Sequence, residues 1–359
     1  MAKRGFNLFG TRAFRRSLNN MARVAVRASA KAVAKALRPA KPPRSNRTIA
    51  KPVAVSGRPK PGTPATPIRI AGWTSGLAGS RRYRLFKPPG SLAAERLPLL
   101  VMLHGCAQDA QSLASVSQMN RVAVRENFLV LYPEQSRASN LQGCWNWFAT
   151  RSGQAQHEAD AIASMIEQVT RLHPVDPDRI ALAGLSAGAS MAALLATRHP
   201  RRFRAVAMHS GVAPGVAKSQ ASALGAMRGR RTIATTPLPA GSNGAHLPPL
   251  LLIHGSADTV VVPSNAVDTA QRWAACEGAQ AVAPRTVQRG ARYAVTITDY
   301  EQQRRIVVTH CLINGLGHAW SGGAAHLAYS DSKGPNASRM IWAFVARQLA
   351  ANTQLLRFL

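Results

Sequence analysis

Residues 179–188 read Arg-Ile-Ala-Leu-Ala-Gly-Leu-Ser-Ala-Gly, and they carry the strongest indication of how the chain folds. An apolar run leads directly into Gly-x-Ser-x-Gly, and a stretch of small residues with a helical pattern follows. The two glycines permit a sharp strand-to-helix turn that exposes the serine hydroxyl, and the helix N-terminus stabilises negative charge beside it. The pentapeptide alone is also typical of an ordinary tight turn, but its place between a strand and a helix favours a nucleophilic Ser186.

Apolar runs alternate with helical patterns on both sides of this stretch. The predicted strands are Leu97–Leu103, Phe128–Tyr132, Ile180–Ala183, Ala205–Met208 and Leu250–Ile253. The predicted helices are Gln111–Arg125, His157–Leu172, Ala187–Arg198, Asn265–Ala275 and Ala337–Leu349. Strands that are apolar along their whole length are buried on both faces, which is typical of parallel sheets covered by helices. The chain is therefore predicted to adopt an α/β fold, the α/β-hydrolase fold, with a mostly parallel central sheet and helices on both faces.

Two regions depart from this alternation. Short runs at Ile68–Trp73 and Arg82–Phe86, with Gly and Ser between them, predict an antiparallel hairpin at a sheet edge. Residues 211–248 scatter Gly, Pro, Ser and Thr without a period. A long segment of this kind is either a functional cover or a disordered loop, and both alternatives stay open at this point.

Two loops supply the partners that a nucleophilic serine requires. A positioned histidine must take the hydroxyl proton, and a carboxylate must orient that histidine, in the chain order Ser, Asp, His. Asp258 follows the strand Leu250–Ile253, and His318 lies in a Gly-rich loop after the apolar run Ile306–Ile313. The alternatives are an ordinary turn aspartate and a solvated loop histidine, but order and setting favour a triad with Ser186.

Acyl transfer also requires N–H donors for the oxyanion. They usually come from the residue after the nucleophile and from the loop after an early strand. Ala187 provides the first donor. In the turn Leu103–Gln108 a glycine lets the backbone approach closely, so we expect Cys106 to provide the second N–H, with Ala107 as the alternative. His104 is expected to support this turn rather than to take part in catalysis.

Cysteines and tryptophans lie near these loops. Cys106 and Cys144 are 38 residues apart, and Cys276 and Cys311 are 35 residues apart. No Cys-x-x-Cys pair occurs, so no metal site is predicted. The cysteines are either four buried thiols or two disulfides, Cys106–Cys144 and Cys276–Cys311. The tryptophans are either core residues or an apolar wall for an acyl chain; they are Trp145, Trp147 and Trp320.

Charge is distributed unevenly along the chain. It carries 46 Lys and Arg against 15 Asp and Glu, a formal net charge of +31, and no acidic residue precedes Glu95. Sixteen of the basic residues lie within residues 1–60, where proline is also frequent. We therefore predict two parts, a basic, Pro-rich arm and linker over residues 1–63 and a catalytic domain over residues 64–359. The arm is either disordered or an amphipathic helix.

The arm is expected to contact an anionic surface through residues 1–60, because counterion release favours such binding. A membrane, a granule coat or nucleic acid would provide that surface, and a solvated tail without a partner is the alternative. No specific protein partner is predicted. Arg and Lys interrupt every apolar run of the arm, so we expect no cleavable secretion signal, and no stretch is long enough to predict a membrane span.

Five motifs between Pro64 and Ala350 carry a family resemblance. They are Leu103–Cys106, Gly143–Trp147, Gly184–Gly188, His254–Asp258 and Gly315–Gly323. Together they resemble the esterase family of poly(3-hydroxybutyrate) depolymerases with a type 1 catalytic domain, which is similar to feruloyl and acetylxylan esterases of carbohydrate esterase family 1. The resemblance implies that Ser186, Asp258 and His318 form the triad and that the His-Gly-Cys turn belongs to the oxyanion hole.

The resemblance also implies both disulfides and thus an oxidising, extracellular location; a cytoplasmic location is the alternative because no secretion signal is evident. We expect the chain to lack the separate substrate-binding domain of secreted polymer depolymerases. The sequence thus predicts a serine esterase that needs no cofactor and acts on short-chain polyhydroxyalkanoate polymer or oligomers. Alternatives are a feruloyl or acetylxylan esterase, a serine peptidase, or a basic polyanion- or membrane-binding protein with a vestigial triad.

Overall fold

The structure of the protein, a computed structural model, describes residues 72–91, 95–230, 238 and 246–355. The arm predicted over residues 1–63 lies outside the described residues. The strands are β1 (Trp73–Ala78), β2 (Arg81–Phe86), β3 (Leu97–Leu103), β4 (Leu129–Pro133), β5 (Val175–Leu185), β6 (Ala205–His209), β7 (Leu250–Gly255), β8 (Gln280–Ala281), β9 (Arg285–Val287), β10 (Val295–Gln302), β11 (Arg305–Ile313), β12 (Trp320–Ser321) and β13 (Ser330–Asp331). The α-helices are α1 (Ala110–Ser117), α2 (Met119–Glu126), α3 (Gln154–Leu172), α4 (Ala187–Arg198), α5 (Gln220–Met227), α6 (Ser264–Cys276) and α7 (Ala337–Leu355).

Eleven of these strands form one mixed sheet in the described part of the chain. Its order is β1-β2-β4-β3-β5-β6-β7-β11-β10-β8, and β9 also pairs with β10. The six central strands from β4 to β11 run parallel, while β1 and β2 at one edge and β8, β9 and β10 at the other are antiparallel. This sheet, with helices between its strands, confirms the predicted α/β-hydrolase fold.

Each face of the sheet has its own apolar core. Side chains alternate along a strand, so in β3 Leu99 and Val101 join the core beneath α3, α4 and α6, whereas Leu100 and Met102 join the core beneath α1, α2 and α7. Every residue of β3 is buried, as its unbroken apolar sequence requires. Among the described residues no helix is both long and apolar enough to cross a membrane.

Two elements differ from the sequence prediction. The single helix predicted at Gln111–Arg125 is two helices, because Gln118 adopts a left-handed conformation (φ 53°) that ends α1 before α2 begins. The hairpin at the sheet edge is present with Trp73–Ala78 as its first strand, and residues 68–71 of the first strand predicted at Ile68–Trp73 lie outside the described residues. Its two strands are joined by a two-residue loop of Gly79 (φ 56°) and Ser80, a turn that favours tight antiparallel pairing.

The parallel strands also determine where the chemistry lies. The carboxyl ends of parallel strands meet at one edge of the sheet. The residues that follow β3, β5, β7 and β11 therefore converge there, although they are far apart in the sequence.

Candidate active site

Ser186 lies in a sharp turn between β5 and α4. Its φ of 55° is in the left-handed region, which non-glycine residues rarely adopt, and its N–H donates to the carbonyl of His209 at 2.8 Å. The flanking glycines are required by close packing. A Cβ on Gly184 would lie 2.4 Å from the carbonyl carbon of Gly188, and a Cβ on Gly188 would lie 2.1 Å from the carbonyl oxygen of Leu103. The local sequence therefore enforces the turn that presents the hydroxyl.

A continuous hydrogen-bond chain connects Ser186 to the two predicted partners. His318 Nε2 lies 3.0 Å from Ser186 Oγ, and His318 Nδ1 lies 2.7 Å from Asp258 Oδ2. The imidazole is partly accessible, whereas the carboxylate of Asp258 is fully buried. This is the geometry in which a carboxylate orients an imidazole that accepts the proton of a hydroxyl.

The surroundings of Asp258 keep its carboxylate ionised. Burial is the largest influence and opposes ionisation, but hydrogen bonds from His254 and His318, together with their charges, hold the pKa of Asp258 well below its usual range. In addition, Oδ1 accepts the N–H groups of Val260 and Val261, both at 2.9 Å. Asp258 therefore remains an acceptor for His318 throughout the physiological pH range.

The turn after β3 lies directly beside Ser186. A Cβ built on Gly105 would be 3.6 Å from Ser186 Cβ. The N–H of Ala107 is occupied, since it donates to the carbonyl of Gln142 at 2.9 Å. The N–H groups of Cys106 and Ala187 have no acceptor among the described residues. Of the two donors that the sequence left open, the geometry thus favours Cys106.

His104 holds this turn in place. The N–H of Gln135 donates to His104 Nε2 at 3.1 Å, so the proton of the neutral ring must be on Nδ1, which donates to the carbonyl of Gly105 at 2.9 Å. Burial lowers the pKa of His104 to about 4, and the ring is therefore neutral at neutral pH. This contact agrees with the expected supporting role of His104.

One of the two expected disulfides is present. Cys106 and Cys144 form a disulfide, which connects the turn beside Ser186 to the segment that begins at Trp145. The expected pair Cys276–Cys311 is wrong, because both cysteines are free. Cys311 belongs to the core beneath α7, whereas α6, which ends at Cys276, packs on the opposite face of the sheet. Burial raises the pKa of Cys311 to about 12, so its thiol stays protonated.

A pocket opens beside Ser186. Its walls come from the disulfide, the segment Trp145–Phe148, the start of α4, residues 210–212, Val261 and the helix α5. Trp145 and Trp147 line it, as predicted for an acyl wall. Trp320 does not line it, which corrects the prediction: its indole stacks on His209 and donates to Ser338 Oγ at 3.2 Å in the core beneath α7.

Comparison with known proteins places the chain in a family. Residues 81–292 match the family model described as esterase PHB depolymerase. The chain belongs to this family. It is 31% identical over 206 residues to poly(3-hydroxyalkanoate) depolymerase C of Paucimonas lemoignei, covering 53% of this chain and 47% of that protein. It is 26% identical over 237 residues to acetylxylan esterase A of Emericella nidulans, covering 61% of this chain and 75% of that protein.

Solved structures agree with this assignment at the level of the fold. An acetyl xylan esterase from Aspergillus awamori superposes with a TM-score of 0.55 at 22% identity, covering 66% of this chain and 89% of that chain. The chain spans about half the length of the Paucimonas depolymerase. The family-model match over residues 81–292 includes Ser186 and Asp258 and ends before His318.

The sequence did not predict a buried network of charged and polar side chains behind the pocket. Glu158 accepts the N–H and the side-chain amide of Asn146 at 2.9 and 2.7 Å, and it lies 3.6 Å from the guanidinium of Arg81. Gln135 bonds Arg81 and donates to the carbonyl of Cys144 at 3.1 Å. These contacts fix the wall segment 144–148. Arg81, Gln135 and Glu158 lie outside any motif, and only tertiary contact brings them to Asn146 and Cys144.

The described residues place no group of three or more His, Cys, Asp or Glu side chains where they would hold a metal ion. The polar groups around Ser186 are instead arranged in the serine, histidine and aspartate chain. That chain needs only a hydroxyl, an imidazole and a carboxylate for acyl transfer.

Three buried histidines predict that this esterase-family protein loses stability in mild acid. Burial is the largest influence on each, and it lowers the pKa of His209 to about 3 and those of His104 and His310 to about 4. In the unfolded chain each pKa returns to about 6.5. As the pH falls below that value, the unfolded state binds protons that the folded state does not. The free energy of unfolding should therefore fall by on the order of 2 kcal/mol per histidine at about pH 5.

Urea unfolding at about pH 7.5 and about pH 5 measures this effect. His310→Gln should remove roughly a third of the decline, because one of three titrating groups is gone. A conservative change at the exposed His157 is the control and should leave the decline as it is. Equal unfolding free energies at the two pH values would contradict the prediction.

Proposed function

We propose that the protein is a serine esterase that hydrolyses carboxylic ester bonds through an acyl-enzyme. The observation that carries this proposal is the hydrogen-bonded chain from Asp258 through His318 to Ser186, with two N–H groups beside it that have no acceptor among the described residues. Membership of the esterase PHB depolymerase family supports the same chemistry.

The geometry supports the following first half of the reaction. His318 Nε2 takes the proton of Ser186 as Oγ attacks the ester carbonyl, and ionised Asp258 stabilises the imidazolium. The N–H groups of Cys106 and Ala187 donate to the oxyanion. His318 then gives its proton to the leaving alcohol, and the acyl group remains on Ser186.

Water completes the cycle. His318 takes a proton from the water molecule that attacks the acyl-enzyme, and it returns this proton to Ser186 as the acid leaves. Each step moves one proton through Nε2 while Asp258 holds Nδ1. No step uses a further group.

We propose short-chain polyhydroxyalkanoate, as 3-hydroxybutyrate polymer or oligomers, as the substrate. The match to the depolymerase family model and the 31% identity to the Paucimonas depolymerase support it. The second candidate is an acetylated carbohydrate, because the acetylxylan esterase of Emericella nidulans matches over a larger share of its own length, 75%. The Cys106–Cys144 disulfide favours an oxidising compartment for either activity.

A substrate panel distinguishes these candidates. The panel contains 3-hydroxybutyrate oligomers, a polyhydroxybutyrate suspension, acetylated xylan, p-nitrophenyl butyrate and a peptide anilide. We expect the highest kcat/KM on the oligomers, because the chain matches the depolymerase family model and the Paucimonas depolymerase. Faster release of acetate from xylan would favour the carbohydrate esterase, and turnover of the anilide alone would contradict an esterase.

The same panel tests the basic arm. We propose that residues 1–60 bind an anionic surface without taking part in the chemistry, because all acidic residues lie at Glu95 or beyond. A chain that begins at residue 61 should hydrolyse p-nitrophenyl butyrate within about twofold of the full chain and lose low-salt binding to anionic vesicles. Loss of butyrate hydrolysis in the folded, shortened chain would contradict this division.

A further inference from the structure

The pocket beside Ser186 is small. Its cavity holds about 40 Å³. A cavity needs roughly 10–15 Å³ to hold one water molecule, so a space this narrow favours a short acyl chain over a long one. Apolar side chains form most of its wall, including Trp145, Trp147 and Val212. An acyl group bound to Ser186 therefore has room for only a short chain.

One side of this pocket belongs to α5, in the segment that the sequence left as either a cover or a loop. Ala223 and Met227 line the pocket, and they lie one turn apart on the same face of the helix. Ala223 is fully buried, whereas Met227 is only partly buried. Met227 thus lies between the pocket and the surface, and its side chain limits how far an acyl chain extends.

The end of α5 is held by contacts from outside the helix. The last carbonyls of a helix have no partner within it. Here the side-chain amide of Asn265 donates to the carbonyl of Ala226 at 3.1 Å, and the N–H of Val262 donates to the carbonyl of Met227 at 2.9 Å. Asn265 is itself buried. These bonds join the pocket wall to the loop that carries Asp258.

We propose that Met227 and Ala223 determine the acyl chain length that this enzyme accepts, and that Asn265 is the positioning residue that holds this wall in place. The proposal rests on the proposed esterase function and names the part of the site that selects among its substrates. It follows from the pocket size, from the partial exposure of Met227 and from the bonds at the end of α5.

The test compares kcat/KM for p-nitrophenyl acetate, butyrate and octanoate. Met227→Ala opens the pocket towards the surface, so the octanoate to butyrate ratio should rise by about tenfold or more. The matched control is Leu224→Ala, which removes a similar side chain from the same helix but does not line the pocket. Its ratio should stay within about twofold of wild type.

Two further variants test the proposal even if Met227→Ala does not fold. Ala223→Val narrows the pocket and should lower the butyrate to acetate ratio by about tenfold. Asn265→Ala should raise the octanoate to butyrate ratio in the same direction as Met227→Ala. Thr269→Val is the control for Asn265→Ala, because it removes a buried hydroxyl from α6, the helix that carries Asn265. It should leave the octanoate to butyrate ratio unchanged.

The outcomes separate this proposal from the proposed function. Ester turnover with ratios that none of the three pocket variants changes would overturn the assignment of Met227, Ala223 and Asn265 and leave the esterase function standing. Octanoate as the preferred substrate of the wild type would also overturn it. No turnover of any ester by folded wild type would contradict the esterase function, and this inference with it.

Discussion

Ser186→Ala is expected to lower hydrolysis of p-nitrophenyl butyrate by at least about a thousandfold while the protein stays folded. Members of a serine, histidine and aspartate triad act as a unit, so removal of one member removes most of the rate enhancement that the unit provides. Ser186 Oγ lies 3.0 Å from His318 Nε2, and the residue lines the pocket rather than the core. His318→Ala should have an effect of the same order. The measurement is kcat/KM together with far-ultraviolet circular dichroism.

A matched serine provides the control. Ser164 lies on an exposed position of α3, and within the described part of the chain its hydroxyl bonds only the carbonyl of Asp160. Ser164→Ala should retain activity within about twofold of wild type. A fluorophosphonate probe should label wild type and Ser164→Ala but not Ser186→Ala. Retention of more than about a tenth of wild-type activity by folded Ser186→Ala would remove Ser186 from the mechanism.

The second large effect is expected from loss of the Cys106–Cys144 disulfide. The bond spans 38 residues, and a loop of that length stabilises the folded state by up to about 4 kcal/mol in the chain-entropy model. Cys106→Ser/Cys144→Ser should therefore unfold at a clearly lower urea concentration. Its kcat should fall by about tenfold or more, because the N–H of Cys106 is no longer held beside Ser186. Urea titration and ester kinetics measure the two effects.

Cys276→Ser is the control that distinguishes loss of the disulfide from loss of any cysteine side chain. Cys276 is exposed and free, so its replacement should change neither the unfolding midpoint nor kcat. Thiol titration of unfolded, unreduced wild type should find two free thiols. Four free thiols in active protein would contradict the bond, and four blocked thiols would contradict the separation of Cys276 from Cys311.

The cysteines show that spacing along the sequence does not determine which disulfide forms. The two candidate pairs have almost the same separation, 38 and 35 residues, and nothing in the sequence distinguishes them. The difference lies in the sheet. Cys106 and Cys144 follow structural elements that meet above the same strand ends, whereas Cys311 points to the face of the sheet away from α6. Alternation along β11 therefore keeps Cys311 apart from Cys276.

The tryptophans divide in the same way. Trp145, Trp147 and Trp320 all lie within the family motifs, and each was a candidate for the pocket wall. Trp145 and Trp147 line the pocket, but the indole of Trp320 is directed into the core beneath α7. Proximity in sequence to His318 did not determine on which side of its loop this indole packs.

Local sequence was sufficient for the features that depend on few neighbours. An unbroken apolar strand, the Gly-x-Ser-x-Gly turn and the loops after later strands predicted the fold and the three residues that the structure joins by hydrogen bonds, Ser186, Asp258 and His318. This succeeds because parallel strands bring their carboxyl ends to one edge, so each residue's place after a strand already gives its place in the fold.

Tertiary packing decided what those patterns leave undetermined. Residues outside any motif, and far apart in the chain, form three features of the site. These are the pocket wall on α5, the hydrogen bond from Asn265 that holds this wall, and the buried pair Arg81 and Glu158. Their contacts depend on how the helices pack against the twisted sheet. Small side chains such as Ala223 and Ala226 let α5 approach the core closely. The chemistry of this protein is therefore encoded locally, whereas the shape of the space around Ser186 exists only once the helices are packed.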